Sequence, residues 1–138
     1  DTVYNEVFLD KQNLERMFGC QITGMAYPYG TYNDEVVQIL KKCKIQYARS
    51  VVSSGAFKLQ KNLLIFKPTC HHADENIWEL LEKFLKEKSE EKQLFYIWGH
   101  SYEFDVNNNW KRMEEILDRL IGHNNIFYGT NREVLLPC

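Results

Sequence analysis

The chain has 138 residues, 44% of them hydrophobic and 26% charged, with a formal net charge of −2. That length suits one compact domain with enough apolar material for a core, and the near-neutral charge gives no reason to expect a nucleic-acid backbone as partner. No window approaches the roughly 18 apolar residues a membrane helix needs, and no signal-peptide pattern opens the chain, so no membrane partner is expected. Cys20, Cys43, Cys70 and Cys138 stand at wide, irregular spacings with no Cys-x-x-Cys pair. This argues against a zinc ribbon or redox motif and points to a reducing, cytoplasmic setting.

In chain order, Val3, Val7, Leu14 and Phe18 recur near helical spacing, which predicts a helix over 3–18 closed by Gly19. Residues 22–27 read as a short buried strand, left through Pro28, Tyr29 and Gly30. Asn33 or Asp34 caps a second helix with Val36, Val37, Ile39 and Leu40 on its apolar side. Lys41, Lys42 and Lys44 sit at its end, where the helix dipole favours cations. Residues 45–52 and 63–66 read as strands. A helix over 75–88 follows, striped by Ile77, Leu80, Leu81, Phe84 and Leu85. Residues 94–98 form an apolar strand. Met113, Ile116, Leu117 and Leu120 mark a last helix closed by Gly122, and residues 126–128 a final strand. Continuous apolar strands alternating with helices argue for an α/β fold with a parallel sheet covered by helices.

In such folds functional groups lie just past the strand ends. After the first strand, Tyr27-Pro28-Tyr29-Gly30 offers either a backbone N–H for an oxyanion or an ordinary tight turn. After residues 63–66 comes Pro68-Thr69-Cys70-His71-His72. Adjacent histidines on an extended backbone point apart and do not easily ligate one metal. A Cys70–His nucleophile pair would need a side-chain contact that sequence neighbours seldom make. After residues 94–98 comes Gly99-His100-Ser101-Tyr102-Glu103-Phe104-Asp105, where His100 stands as a general acid or base with Glu103 and Asp105 nearby to favour its charged form. The alternative is a strand-end histidine satisfied by local hydrogen bonds. His123 reads as exposed loop polarity. Aromatic residues make up 14% of the chain, a supply for core packing or for a sugar-facing groove.

Met25-Ala26-Tyr27-Pro28-Tyr29-Gly30 resembles the third motif of the polysaccharide deacetylases, the NodB-like carbohydrate esterases, usually Arg-x-Pro-Tyr-Gly. The run from Phe95 through Trp98-Gly99-His100 to Asp105 resembles their closing His-bearing motif as it appears in a bacterial subgroup. Tyr47-Ala48-Arg49-Ser50, Pro68-Thr69-Cys70-His71-His72 and Gly129-Thr130-Asn131-Arg132-Glu133 are also similar to that subgroup. The resemblance implies a deformed, TIM-barrel-like (β/α) barrel, here partial, with mostly parallel strands, helices outside and the N-terminal strands missing. Residues 1–138 would then form a single deacetylase-like domain truncated at its N-terminal side. It implies a hydrolase that removes acetyl groups from amino-sugar polysaccharide or oligosaccharide with a divalent metal, commonly zinc. The Tyr29 N–H would hold the oxyanion and His100 would protonate the leaving amine, with Tyr27, Pro28, Trp98 and Tyr102 against the substrate.

The family's Asp-Asp pair and His-x-x-x-His motif have no counterpart in this sequence, and Ala26 replaces the arginine. The expectation is therefore a chain that alone binds no metal and is inactive. An alternative is a non-catalytic carbohydrate-binding or interaction module on the same fold; a weaker one is a thiol hydrolase using Cys70. An open sheet edge would favour a homo-oligomer or swapped dimer.

Overall fold

The computed structural model describes residues 2–136; Cys138 lies outside them. The chain divides into two compact units. The first takes in the described residues of 1–52, 60–67 and 128–138, the second 53–59 and 68–127.

The first unit begins with α1 (Thr2–Phe18). Tyr4 and Phe8, one turn apart, stack at 5.5 Å and pack with Val7 against the unit's core. The helix closes as expected at Gly19, in the left-handed region at φ 64, whose N–H donates to Glu15 O at 2.9 Å. The Glu15 carboxylate takes Lys11 Nζ and the Ile22 N–H at 3.1 Å, tying the helix end to the chain that enters β1 (Gly24–Ala26). β1 pairs in parallel with β2 (Tyr47–Arg49), Met25 opposite Ala48. Between them runs α2 (Asp34–Lys42). Asn33 starts it from an extended backbone, its Oδ1 accepting the Val36 N–H at 2.8 Å, an ordinary N-cap. No glycine ends it. Instead Lys44 takes φ 61, while its N–H donates to Lys41 O and that of Ile45 to Leu40 O. This is the paired bonding of a Schellman end. Val37, Leu40, Cys43, Ile45, Ala48 and Leu64 form the heart of the core.

Residues 63–66 are not the expected strand. Asn62 Oδ1 accepts the Leu64 N–H at 3.2 Å and turns Leu63–Ile65 into a 3₁₀ helix. Such side-chain bonds compete with a ladder, and a four-residue apolar run reads alike extended or coiled. Phe66 alone bridges Arg49, in parallel. Residues 126–128 join no ladder among the described residues; the Ile126 N–H closes a turn on His123 O. α6 (Asn131–Leu135) follows, set by a capping box of Thr130 and Glu133.

The second unit repeats the strand–helix–strand order on a smaller scale. β3 (Cys70–His71) pairs in parallel with β4 (Ile97–Trp98), with α3 (Ile77–Lys86) between them in sequence. α4 (Ser101–Val106) and α5 (Trp110–Leu120) complete it. Its core joins Cys70, Ile77, Leu81 and Ile116, each fully buried. Mixed α/β structure with parallel strands and helices is thus present, but the strands are short and the described residues form no closed barrel. Among the described residues no helix is long and apolar enough to cross a membrane.

Candidate functional site

The turn after β1 is built on main-chain geometry. Pro28–Gly30 form one 3₁₀ turn with Tyr29 at φ 56, a region that costs a non-glycine residue strain. Gly30, at φ 71, admits no side chain, because a Cβ would lie 2.4 Å from Val51. The turn is tied by the Gly30 N–H to Tyr27 O and the Thr31 N–H to Pro28 O, neither of which uses the Tyr29 N–H. The Tyr29 ring is 97% exposed and Pro28 is exposed beside it. Tyr27 differs. It is buried, its hydroxyl donates to Leu64 O at 2.7 Å, and its ring stacks on Tyr32 at 4.7 Å. Burial pushes its phenol up to about 12. The ring and hydroxyl of Tyr27 are thus both engaged inside the unit.

The second unit gathers side chains. Strand β3 ends at His71 and the chain turns at once, with the Asp74 N–H on His71 O at 3.0 Å. Arg112 holds that turn from α5, donating to His72 O at 3.0 Å and Asp74 O at 2.7 Å. The two histidines, expected to point apart on an extended backbone, are thereby brought ring to ring, with centroids 4.2 Å apart. Both reach Glu103 Oε2 from α4, His72 Nε2 at 2.8 Å and His71 Nε2 at 3.2 Å. The same oxygen accepts the His100 backbone N–H at 2.8 Å and lies 3.4 Å from His100 Nδ1. The His100 N–H foremost, then His72 and His71, hold the Glu103 carboxyl down to about 2 against the opposing push of burial. Burial first, then His72, lowers the pKa of His71, and Glu103 partly offsets this.

Of the two carboxylates near His100, the structure thus selects Glu103. Asp105 accepts instead from Trp110 Nε1 at 2.7 Å. The expected site residues Trp98, His100 and Tyr102 follow one another in edge and tilted contacts: Trp98 lies 4.5 Å from His71 and 6.0 Å from His100, and His100 lies 5.3 Å from Tyr102. The His100 side chain is half exposed and Tyr102 is exposed, so this row of rings opens to solvent at its His100 end. Cys70 is fully buried. Burial, with Asp74 adding to it, pushes its thiol up to about 11, a poor setting for a nucleophile.

The Asp-Asp and His-x-x-x-His metal residues of the resembled family are absent from the chain. Sequence reasoning did not foresee a different set. Among the described residues, His71, His72 and Glu103 offer ligand-type atoms all within 4.8 Å of one another. Their convergence spans 31 residues of chain between His72 and Glu103 and depends on the turn at His72, which no local pattern announces.

The family model for polysaccharide deacetylases matches residues 1–48. The matched stretch runs from α1 into β2 and contains the Tyr27-Pro28-Tyr29-Gly30 turn; the His100 region lies outside it. The match bears out the polysaccharide deacetylase resemblance in the N-terminal region of the chain. No curated protein and no solved structure matches.

Proposed function

We propose that this chain is part of a metal-dependent carbohydrate deacetylase that hydrolyses acetyl groups from amino-sugar polymers or oligomers. The observation that carries the reading is the polysaccharide deacetylase match over residues 1–48, which includes the Pro28–Gly30 turn. In this reading the Tyr29 N–H, left out of the turn's own bonds, stabilises the oxyanion as the carbonyl is attacked. His100 protonates the departing amine. Glu103, whose Oε2 accepts the His100 backbone N–H at 2.8 Å, fixes its backbone. Trp98 and Tyr102 supply ring faces beside it. The metal would polarise the acetamide carbonyl and its attacking water, and its ligands would come from residues this chain does not contain, so the chain alone is inactive.

The test is acetate release from an N-acetylated chito-oligosaccharide. It compares the chain alone with the chain joined to a segment bearing the Asp-Asp and His-x-x-x-His motifs. None is expected from the chain alone. Release is expected from the joined protein, lowered roughly 10²–10⁴-fold in kcat by His100→Ala. Acetate release by the chain alone would overturn the assignment of inactivity. A second reading, a carbohydrate-binding module without catalysis, draws on the exposed rings of Tyr29 and Tyr102. Saturable binding without release, even in the joined protein, would favour it.

A further inference from the structure

We infer that His71, His72 and Glu103 form a binding site of their own for a first-row divalent transition metal of the zinc class. The inference does not rest on the deacetylase reading, whose metal residues are different ones. It runs against the expectation that the chain alone holds no metal.

The donor set is two imidazole nitrogens and one carboxylate oxygen. Such a set suits zinc and its neighbours and leaves further positions open, whereas calcium and magnesium take oxygen ligands almost throughout. Two ligands each about 2.0–2.1 Å from a tetrahedral ion stand about 3.3 Å apart. His71 Nε2 and Glu103 Oε2 are 3.2 Å apart and His72 Nε2 and Glu103 Oε2 are 2.8 Å apart, so these two pairs need to open by at most a few tenths of an ångström, and all three ligand-type atoms lie within 4.8 Å of one another. His72 is almost wholly buried, and Arg112 fixes the turn that presents both rings.

Gly99 gives the second, independent observation. At φ +153 its backbone lies against the pair, and a Cβ there would fall 2.6 Å from His72 Nε2 and 3.1 Å from His71 Nε2. The glycine keeps side-chain atoms out of the space beside both nitrogens, where an ion would sit.

The ring nitrogens opposite the ligating ones set the strength. His71 Nδ1 accepts the Ala73 N–H at 3.1 Å, so in the metal-free protein its proton sits on Nε2, facing Glu103. Ligation through Nε2 moves that proton to Nδ1 and gives up the Ala73 bond. His72 Nδ1 is buried without a hydrogen-bond partner, so a proton moved there finds no acceptor. Metal-bound histidines ordinarily donate from the second nitrogen, and losing such a partner lowers affinity about 10–100-fold. Two such losses place the dissociation constant on the order of micromolar, rather than the nanomolar or tighter range of fully supported structural zinc sites.

The experiment titrates the chelator-treated full chain with Zn²⁺ by calorimetry and with Co²⁺ by visible absorption. One ion per chain at about micromolar affinity is expected, with the ligand-field bands of a low-coordinate Co²⁺ site. Glu103→Gln and His71→Gln should each weaken binding at least about tenfold while circular dichroism shows the fold intact, and Cys20→Ser and His123→Ala should leave it unchanged. No saturable binding, or binding that survives both Glu103→Gln and His71→Gln, would overturn the inference. So would loss of binding in Cys20→Ser or His123→Ala alone, which would put the ion elsewhere.

Discussion

In the first unit, the groups a ligand can reach are main-chain atoms and exposed ring faces around Pro28–Gly30. In the second, the chemistry lies in three imidazoles gathered about a single carboxylate oxygen. The first arrangement is local. A proline, a residue held at positive φ and a glycine with no room for a Cβ generate it within three positions, and the surrounding core only has to hold the strand in front of it. The second is assembled from β3, the turn behind it and the start of α4. Its integrity depends on the packing of those elements and on the guanidinium of Arg112. Chemistry written in the backbone of one turn can tolerate loosening of its core; chemistry that depends on distant side chains meeting at one atom cannot.

The cysteines probe this difference most sharply. Cys70 is buried at the foot of the His71–His72 turn, with its thiol pushed up to about 11, whereas Cys20 in the first unit is exposed. At pH 8 a thiol of that pKa is ionised in about one molecule in a thousand. Iodoacetamide should therefore modify the exposed Cys20 at least about a hundredfold faster than Cys70, as read by peptide mass spectrometry over time. Comparable rates would show that the core of the second unit opens readily.

Next in size are the cores themselves. Leu40 and Ile77 are each fully buried, one in each unit. Truncation to alanine should cost about 2–5 kcal/mol at either position. Leu40→Ala is expected to lower amide-exchange protection chiefly in α2 and β2, Ile77→Ala chiefly in α3 and around β3 and β4. Only Ile77→Ala should broaden or shift the His71 and His72 ring signals in NMR spectra. Equal losses of protection across the chain in both variants would mean that the two units unfold as one cooperative body.

The same contrast explains what could be read from the sequence. Helix positions were legible because their apolar residues recur at helical spacing: α1, α2, α3 and α5 fall within a few residues of where periodicity puts them. β1, β2 and β4 were legible in place though not in their paired lengths, while β3 falls in the run that reads as lying past a strand end. β4 keeps only Ile97 and Trp98, while Tyr96 just before it bonds to Thr69 through both its N–H and its carbonyl. Residues 63–66 were misread because Asn62 offers Leu64 a side-chain bond that apolarity alone does not reveal. The Pro28–Gly30 turn, which lies within the stretch that the family model matches, was legible as a motif. The burial of Tyr27, the choice of Glu103 over Asp105 and the meeting of His71 with His72 were not, since each is decided by a partner distant in sequence or by which way a turn points a side chain.

The smallest effect compares how the two units start their middle helices. α2 begins at Asn33, which is extended at φ −140 and ψ 176 and accepts the Val36 N–H. α3 begins after Asn76, whose backbone is already helical at φ −78 and ψ 0 and whose side chain makes no cap bond. There Asp74 serves in its place: its Oδ1 accepts the Asn76 N–H at 2.9 Å and its carbonyl the Ile77 N–H at 3.2 Å. The same residue type at the same nominal position therefore has different energetic weight. Asn33→Ala should cost about 1 kcal/mol, because it strands an N–H of the first turn. Asn76→Ala should fall within about 0.5 kcal/mol of no change, because the bonds that hold that turn belong to Asp74. Denaturant midpoints of the two variants at constant m-value measure the difference directly. Equal losses would mean that the Asn76 side chain caps α3 in solution, and the asymmetry between the two helix starts would fall.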